Sequence, residues 1–205
     1  MRYIVAILAF MLSASVTASP KDDARAAAER GDFKTAFQTL LPVAEAGDVD
    51  ALGNIGNMYA YGQGTERDYA KAYSYWLKAA DKHLGSAMGN IAVLYVNGLG
   101  GLDKDLSMAA KWFRRAAEHR HFQSMLALSS LYASGEGIEK DSVQALAWAG
   151  LAASNAPSSA SQETAMRQAQ KIGQGMSKDE IDHAQAVSNE LRTVIEANLK
   201  RYKEQ

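Results

Sequence analysis

The side chains best suited to chemistry in this chain are four aspartates that recur at a nearly fixed interval. Each is followed by alanine four positions later, and successive pairs are separated by 36, 37 and 36 residues. Carboxylates can act as general acids and bases, but here each one precedes the same kind of segment. We therefore predict that each aspartate caps the start of a helix by accepting a backbone N–H. The pairs are Asp32 and Ala36, Asp68 and Ala72, Asp105 and Ala109, and Asp141 and Ala145.

Two histidines form the next candidate site. His119 and His121 lie two positions apart, and side chains with that spacing do not face each other on a helix. A structural zinc site takes four ligands, and the sequence shows no third ligand for this pair. We predict a solvated helix end here and no metal site.

Serines near Lys171 and a glycine-rich stretch are the remaining candidates for catalysis. Ser158, Ser159 and Ser161 form no recognisable nucleophile and base arrangement with Lys171. Gly98-Leu99-Gly100-Gly101 is similar to a phosphate-binding loop, but no strand precedes it and no Gly-Lys-Ser/Thr follows. We predict a protein that is not an enzyme and that has no catalytic residues and no cofactor.

The period of the aspartates extends to the segment before each of them. Tyr59, Tyr95 and Tyr132 precede the last three aspartates by nine, ten and nine residues, and we assign the extra residue to the loop at Gly101. Apolar residues before each tyrosine recur at the spacing of one helix face. One position in this first helix is always small, as close contact with a neighbouring helix requires: Gly56, Ala92 and Ser129.

A second helix is predicted to begin at each aspartate. Glycine pairs before the aspartates permit a positive φ and so a turn. The second helix carries a bulky pair and then two alanines, so large residues fill the hairpin and small ones admit the next hairpin. The bulky pairs are Tyr75-Trp76, Trp112-Phe113 and Trp148-Ala149. Two helices per period predict an all-α solenoid of stacked helical hairpins.

The joint between one hairpin and the next is predicted to need a left-handed residue. Gly47 suits that conformation, since glycine is preferred just after a helix end. His83 and Arg120 hold the equivalent positions later in the chain, and they tolerate positive φ less well. We expect local strain at these two joints.

The N-terminus has the pattern of a secretory signal peptide. Arg2 precedes an unbroken apolar run from Ile4 to Leu12, and Val16-Thr17-Ala18 offers a cleavage site. The apolar run is shorter than the ~20 residues that span a bilayer. We predict an exported, periplasmic protein that is not inserted in the membrane after cleavage.

Composition excludes some classes of partner and structure. The chain of 205 residues has no cysteine, and its 22 basic side chains nearly balance 23 acidic ones. Disulfides are therefore impossible, and no general attraction to phosphate backbones is expected. We predict no nucleic-acid partner.

Beyond Asn155 the period ends and two further helices are predicted. One runs from Pro157 to about Lys171, and the last opens with the capping box Ser177-Lys178-Asp179-Glu180. Apolar residues lie along one face of the last helix. We predict that it caps the exposed end of the last repeat, with self-association through this helix as the alternative.

The repeated pattern resembles the Sel-one-like repeat family, which is related to the tetratricopeptide repeat. The resemblance lies in the order of small residues, tyrosine, glycine pair, Asp-x-x-x-Ala, aromatic pair and Ala-Ala. The resemblance implies a right-handed α-α superhelix with a concave face that binds partners, and to this we add the predicted helical N- and C-terminal caps. This chain departs from the family at three positions. Ala149 stands where a second aromatic residue is usual, and His83 and Arg120 stand where glycine is usual.

Four segments follow from these patterns. We predict a signal peptide at 1–18, a tetratricopeptide-like hairpin at 19–50, and C-terminal capping helices at 156–205. Between them lie three Sel-one-like repeats at 51–155, divided at about 51–86, 87–123 and 124–155.

The predicted function is a non-enzymatic scaffold or adaptor of the bacterial cell envelope that binds a partner protein or peptide. The alternative is an enzyme that binds or hydrolyses β-lactams, as the resemblance suggests for a cysteine-rich branch whose disulfides this chain lacks. Residues flanking the core stripe of each first helix are mostly small and neutral, which suits an extended peptide. The predicted partner-binding residues are Asp50, Asn57, Tyr61, Ser86, Val93, Asn97, Gln123, Ser130 and Ser134.

Overall fold

A computed structural model of the chain describes residues 19–203, and these residues form ten α-helices and no strands. The predicted all-α class is confirmed. The predicted signal peptide at 1–18 lies outside the described residues. Among the helices described, none is both long enough and apolar enough to span a bilayer. The helices are α1 (Pro20–Glu29), α2 (Phe33–Glu45), α3 (Val49–Tyr61), α4 (Tyr69–Asp81), α5 (Gly85–Asn97), α6 (Leu106–Glu118), α7 (Phe122–Ser134), α8 (Ser142–Ser154), α9 (Ser159–Gly173) and α10 (Lys178–Lys203).

The helices pair in chain order as antiparallel hairpins. The pairs α1 and α2, α3 and α4, α5 and α6, and α7 and α8 pack together, and each hairpin also contacts the next one. We call α3, α5 and α7 the A helices and α4, α6 and α8 the B helices. This arrangement confirms the predicted solenoid of helical hairpins.

The four repeated aspartates are helix caps, as predicted. The carboxylate oxygens of Asp32, Asp68, Asp105 and Asp141 accept the backbone N–H three residues later at 2.8–3.1 Å. The backbone N–H of each of the last three aspartates donates to the carbonyl of Tyr59, Tyr95 or Tyr132 at 2.9 Å. This bond ties the start of each B helix to its A helix, and it forms in all three repeats although the second loop is one residue longer.

The second glycine of each loop joins neighbouring hairpins. Gly64, Gly100 and Gly137 lie against the first residues of α2, α4 and α6, respectively, and have φ between 72° and 76°. A Cβ on Gly100 would stand 2.9 Å from the carbonyl oxygen of Tyr69. Gly101, by contrast, has no neighbour within 4 Å of its Cβ position, as expected of an inserted residue.

The small position of the A helix faces the bulky position of the B helix. A Cβ on Gly56 would stand 2.5 Å from two atoms of the Trp76 ring. In the next two repeats the corresponding buried pairs are Ala92 with Phe113 and Ser129 with Ala149. The smallest A-helix residue, Gly56, thus accompanies the largest B-helix residue, Trp76.

Both non-glycine joints adopt the predicted left-handed conformation. His83 has φ 67° and Arg120 has φ 59°, a region that L residues seldom occupy.

One helix start differs from its prediction: α9 begins at Ser159 and not at Pro157. The Ser158 hydroxyl accepts the Ser161 N–H at 3.2 Å, so serine caps this helix and the proline lies outside it.

The two C-terminal helices form the predicted cap on the last repeat. Both α9 and α10 pack against α8. The far end of α10 reaches earlier repeats, because Glu196 lies 3.4 Å from Arg120 and the Tyr202 ring lies 4.0 Å from the His83 ring. Since Arg120 and His83 follow α6 and α4, α10 crosses the ends of all three B helices.

Candidate partner-binding surface

All nine residues predicted to bind a partner lie on the A helices, three on each helix. Eight are exposed, and Asn57 is half-buried. The structure brings them together at two places only: Asp50, Asn57 and Tyr61 line one groove, and Ser130 and Ser134 line another cleft. The other four lie on the surface between these sites: Ser86, Val93, Asn97 and Gln123.

The first place, which we call the N-terminal groove, lies among α1, α2 and α3. It is a hollow of about 750 Å³. Its apolar floor includes the buried side chains of Ala24, Leu40 and Met58. Phe33 and Tyr61 line it as exposed aromatic side chains, and Tyr61 is 73% exposed. Exposed apolar surface that is continuous with a hollow is a feature of sites at which proteins bind partners.

Charged residues at the rim of the N-terminal groove pair with one another. Lys21 Nζ lies 2.8 Å from Asp48 and 3.8 Å from Asp50, and Arg25 lies 2.6 Å from Asp22. The hydrogen bond from Lys21 holds the pKa of Asp48 below its usual value, and the same bond raises the pKa of Lys21. The rim is therefore nearly neutral, and Asp50 belongs to this ion-pair network.

Asn57 supports the core as well as facing the groove. Its Oδ1 accepts the indole N–H of the buried Trp76 at 3.1 Å and an amide N–H of Asn90 at 2.9 Å. Because an indole nitrogen can only donate, the oxygen of Asn57 must face Trp76. Asn57 therefore has a structural role in addition to its predicted partner contact, since substituting it would also disturb packing.

Sequence reasoning missed several residues that line the groove. Asn54 and Gln63 add amide groups to it, and Phe33 adds an aromatic ring. Asn54 and Asn90 occupy equivalent positions 36 residues apart, so the repeat alignment could have indicated Asn54 as a residue of this surface. The repeat alignment gave no indication of Phe33, because this residue reaches the groove from the first hairpin, where the repeat is abbreviated.

The second place, the C-terminal cleft, lies between α7, the start of α8, and α9. It has a volume of about 780 Å³. Three cationic side chains, Lys140, Arg167 and Lys171, line it together with Ser130 and Ser134. The sequence prediction missed the cations, because α9 was expected only to cap the solenoid.

One glutamine fixes α9 beside the last A helix. Gln168 Nε2 lies 3.1 Å from the Leu126 carbonyl and 3.0 Å from each of the hydroxyl oxygens of Ser129 and Ser130. These bonds cross from α9 to α7. They hold this part of α9 beside α7, and Arg167 and Lys171 of α9 line the C-terminal cleft.

The predicted solvated end at His119 and His121 is wrong. His119 is half-buried against the rings of His83 and Tyr202, at 5.3 and 5.1 Å between centroids, and His121 Nδ1 lies 2.8 Å from the Ser124 hydroxyl. Burial lowers the pKa of both histidines. Across residues 19–203, no group of three or more His, Cys, Asp or Glu side chains is arranged to hold a metal ion.

The serines near Lys171 have local roles. Ser158 caps α9, and its hydroxyl lies 2.9 Å from that of Ser161. Lys171 is ten residues further along the same helix, which separates it from Ser161 by about 15 Å at 1.5 Å per residue. These groups do not meet as a nucleophile and a base.

Comparisons with known proteins agree with this architecture. The Sel1 repeat profile matches residues 49–84, 85–121 and 122–156, more than half of the chain. A component of an ERAD-associated E3 ubiquitin-protein ligase from Arabidopsis thaliana, HRD3B, is 32% identical over 114 residues, which are 55% of this chain and 18% of that protein.

Two solved structures have a similar fold. A Sel1 repeat protein from Oxalobacter formigenes matches with a TM-score of 0.67 and 25% identity over 78% of this chain and 63% of its own. The protective antigen c5321 of uropathogenic Escherichia coli, which displays an SLR fold, matches with a TM-score of 0.70 and 24% identity over 88% of this chain and 43% of its own. The chain thus spans less than two thirds of the length of each of these relatives.

Proposed function

Because the chain belongs to the Sel1 repeat family, we propose that it is a non-enzymatic scaffold that holds an extended segment of a partner protein along its A helices. Sel1 repeat proteins are generally scaffolds for protein interactions. The name of the Arabidopsis relative likewise describes a component of a larger assembly. The partner-binding site that we propose for this chain is the N-terminal groove.

The groove carries the proposal because it combines an apolar floor with an exposed aromatic side chain. An apolar side chain of a partner would bury itself against Leu40 and Met58 and under the Tyr61 ring. Aromatic side chains contribute large contact areas at interfaces. The amides of Asn54 and Gln63 supply donors and acceptors for the main chain of an extended peptide.

The neutral rim favours an uncharged segment at this position. The rim cations Lys21 and Arg25 already pair with neighbouring carboxylates, so a charged ligand would have to compete with these ion pairs. An apolar residue flanked by polar, uncharged ones fits without breaking them. The partner segment at the N-terminal groove is therefore an apolar residue with polar, uncharged neighbours.

Site-specific photocrosslinking tests this site directly. A photoreactive phenylalanine analogue replaces Tyr61 in one variant and Val194 of α10, which is 54% exposed, in the control. We expect the first variant, irradiated in intact cells, to capture the same partner repeatedly and the control to capture none of it. Equal capture by both variants would contradict the assignment of the groove.

We also place the proposed scaffold in the bacterial envelope. The support is the apolar run and the small-residue site within residues 1–18. Fractionation of cells that express the natural chain and a variant lacking residues 2–18 tests this location. Recovery of both proteins in the cytoplasmic fraction would contradict it.

The β-lactam alternative has a separate test. Purified protein is incubated with a chromogenic β-lactam, and we expect no turnover above that of buffer. Clear turnover would overturn the non-enzymatic assignment.

A further inference from the structure

We propose that the C-terminal cleft is a second docking site, which takes the carboxylates of an acidic segment of the protein partner. The inference rests on the proposed function, because Ser130 and Ser134 continue the A-helix surface on which the N-terminal groove lies. It adds a charge requirement that the neutral N-terminal groove does not impose.

Charge is the first observation in favour of this occupant. Lys140, Arg167 and Lys171 line the cleft, and no carboxylate does. Within residues 19–203, neither lysine has a carboxylate within 4.0 Å. This local positive surface occurs on a chain whose formal net charge is −1, so it does not follow from overall composition.

The one ion pair at the cleft is weak. Arg167 lies 3.8 Å from Glu163, and the two side chains are 67% and 69% exposed. Exposed pairs of this kind contribute little to stability, so the Arg167 guanidinium is free to turn toward a ligand. It can then bind a carboxylate through two parallel hydrogen bonds.

Hydroxyl groups complete the cleft. The Ser130 oxygen accepts a bond from Gln168 Nε2, which leaves its hydroxyl hydrogen available to a ligand. The Ser142 side chain also lines the cleft and has no hydrogen-bond partner among the described residues. The Ser134 and Thr164 hydroxyls, by contrast, already donate to the Leu131 and Ala160 carbonyls.

A peptide carboxylate suits the cleft better than a nucleic acid. A long phosphate backbone is bound by an extended array of cations, whereas three cations around about 780 Å³ match a few side chains. Apolar contacts from Ala133 and Ile172 suit the methylene groups of glutamate. The occupant is therefore an acidic peptide segment.

Titration of the full chain with a synthetic peptide of six glutamates tests the inference. The NMR signals of backbone amides near Ser130, Ser142 and Gln168 are followed, and a peptide of six glutamines serves as the ligand control. We expect shifts confined to the cleft with the glutamate peptide, and binding about tenfold weaker when salt is raised to several hundred millimolar. No binding of the glutamate peptide, or equal binding of both peptides, would overturn the inference.

Charge-neutralising variants localise the binding. Lys140→Gln with Lys171→Gln should weaken glutamate binding about tenfold or more, whereas Lys111→Gln with Lys200→Gln, two exposed lysines elsewhere, should leave it unchanged. Equal affinity of the two double variants would overturn the site. Tighter binding of a single-stranded oligonucleotide than of the glutamate peptide would overturn the choice of occupant.

The outcome is separable from that of the proposed function. Photocrosslinking at Tyr61 is repeated in the Lys140→Gln and Lys171→Gln background. Weaker capture supports the acidic docking site. Undiminished capture overturns it and leaves the scaffold function in place.

Discussion

The indole N–H of Trp76 donates to the side-chain oxygen of Asn57 at 3.1 Å, so a buried ring on a B helix is bonded to a residue on the A-helix surface. Trp76 is only 4% exposed. The same oxygen also accepts from Asn90 of the next A helix. The core, the proposed partner-binding surface and two successive repeats therefore meet at the side-chain amide of Asn57.

Replacing Asn57 with alanine should destabilise the fold through Trp76. The buried indole would lose its acceptor, and an unsatisfied buried donor costs about 1–3 kcal/mol. Urea unfolding followed by tryptophan fluorescence measures the loss. Asn97→Ala is the matched control, because its amide donates only to the Val93 carbonyl in its own helix. Equal stability of the two variants would contradict a structural role for Asn57.

Adding one methyl group at Gly56 should have a comparable effect. The new Cβ would stand 2.5 Å from the Trp76 ring, and overpacking of this kind costs about 1–3 kcal/mol. Gly175→Ala is the control, since its Cβ position has no neighbour within 4 Å. Thermal unfolding should show a lower melting temperature for Gly56→Ala only. A Gly56→Ala protein as stable as the natural chain would show that the helices can separate without cost.

The free energy of unfolding should fall as the pH is lowered through the range in which histidine titrates. Burial lowers the pKa of His119 and His121 in the folded state, so the unfolded chain binds protons more readily. The contribution of the two histidines to the stability of the fold is therefore present above the ordinary histidine pKa of about 6.5, and it is lost as the pH falls below that value. Melting temperatures at pH 7.5, 6.5 and 5.5 measure the trend.

Neighbouring charges require a variant control for this pH effect. His83, Arg115 and Tyr202 lie around His119. The pKa of the adjacent Glu118 is raised by burial, which acts with the opposite sign. His119→Asn together with His121→Asn should flatten the slope between pH 7.5 and 5.5. An unchanged slope would assign the pH dependence to other groups.

Removing the Tyr202 ring should loosen the end of α10. The ring stacks at 4.0 Å on His83 and at 5.1 Å on His119, and these contacts hold the helix end against the B helices. Hydrogen exchange of Tyr202→Ala should be faster from about residue 196 onward and unchanged in α3 to α8. Tyr61→Ala, which removes an equally large ring that is 73% exposed and lies on α3, should leave exchange in α10 unaltered.

The repeated features of this fold could be predicted from the sequence because each is a local rule applied several times. The caps at Asp68, Asp105 and Asp141, the turns and the small position at Gly56 all depend on neighbours within one period. The non-repeated contacts could not be predicted in this way. Phe33 enters the N-terminal groove from the abbreviated hairpin, and Lys171 reaches the C-terminal cleft from α9, which packs against α8 and is bonded to α7 through Gln168.

The histidines show the same limit of periodic reasoning. A spacing of two residues correctly separates His119 from His121, but it carries no information about a ring that arrives from the C-terminal helix. Tyr202 is 83 residues beyond His119 in the chain. No local pattern indicates that contact, and for this reason the prediction of a solvated helix end failed.

The path of α10 across three B helices changes how the molecule is expected to unfold. In an open stack each repeat contacts only its neighbours, so end repeats can fray one at a time. Here the last helix bonds to Arg120 and stacks on His83, which links repeats that do not otherwise touch. Fraying of α10 would therefore remove contacts from several repeats at once, and we expect these repeats to unfold more cooperatively than in an open stack. The same contacts join α10 to repeats that lie much earlier in the chain, so this fastening can form only once α10 has been synthesised.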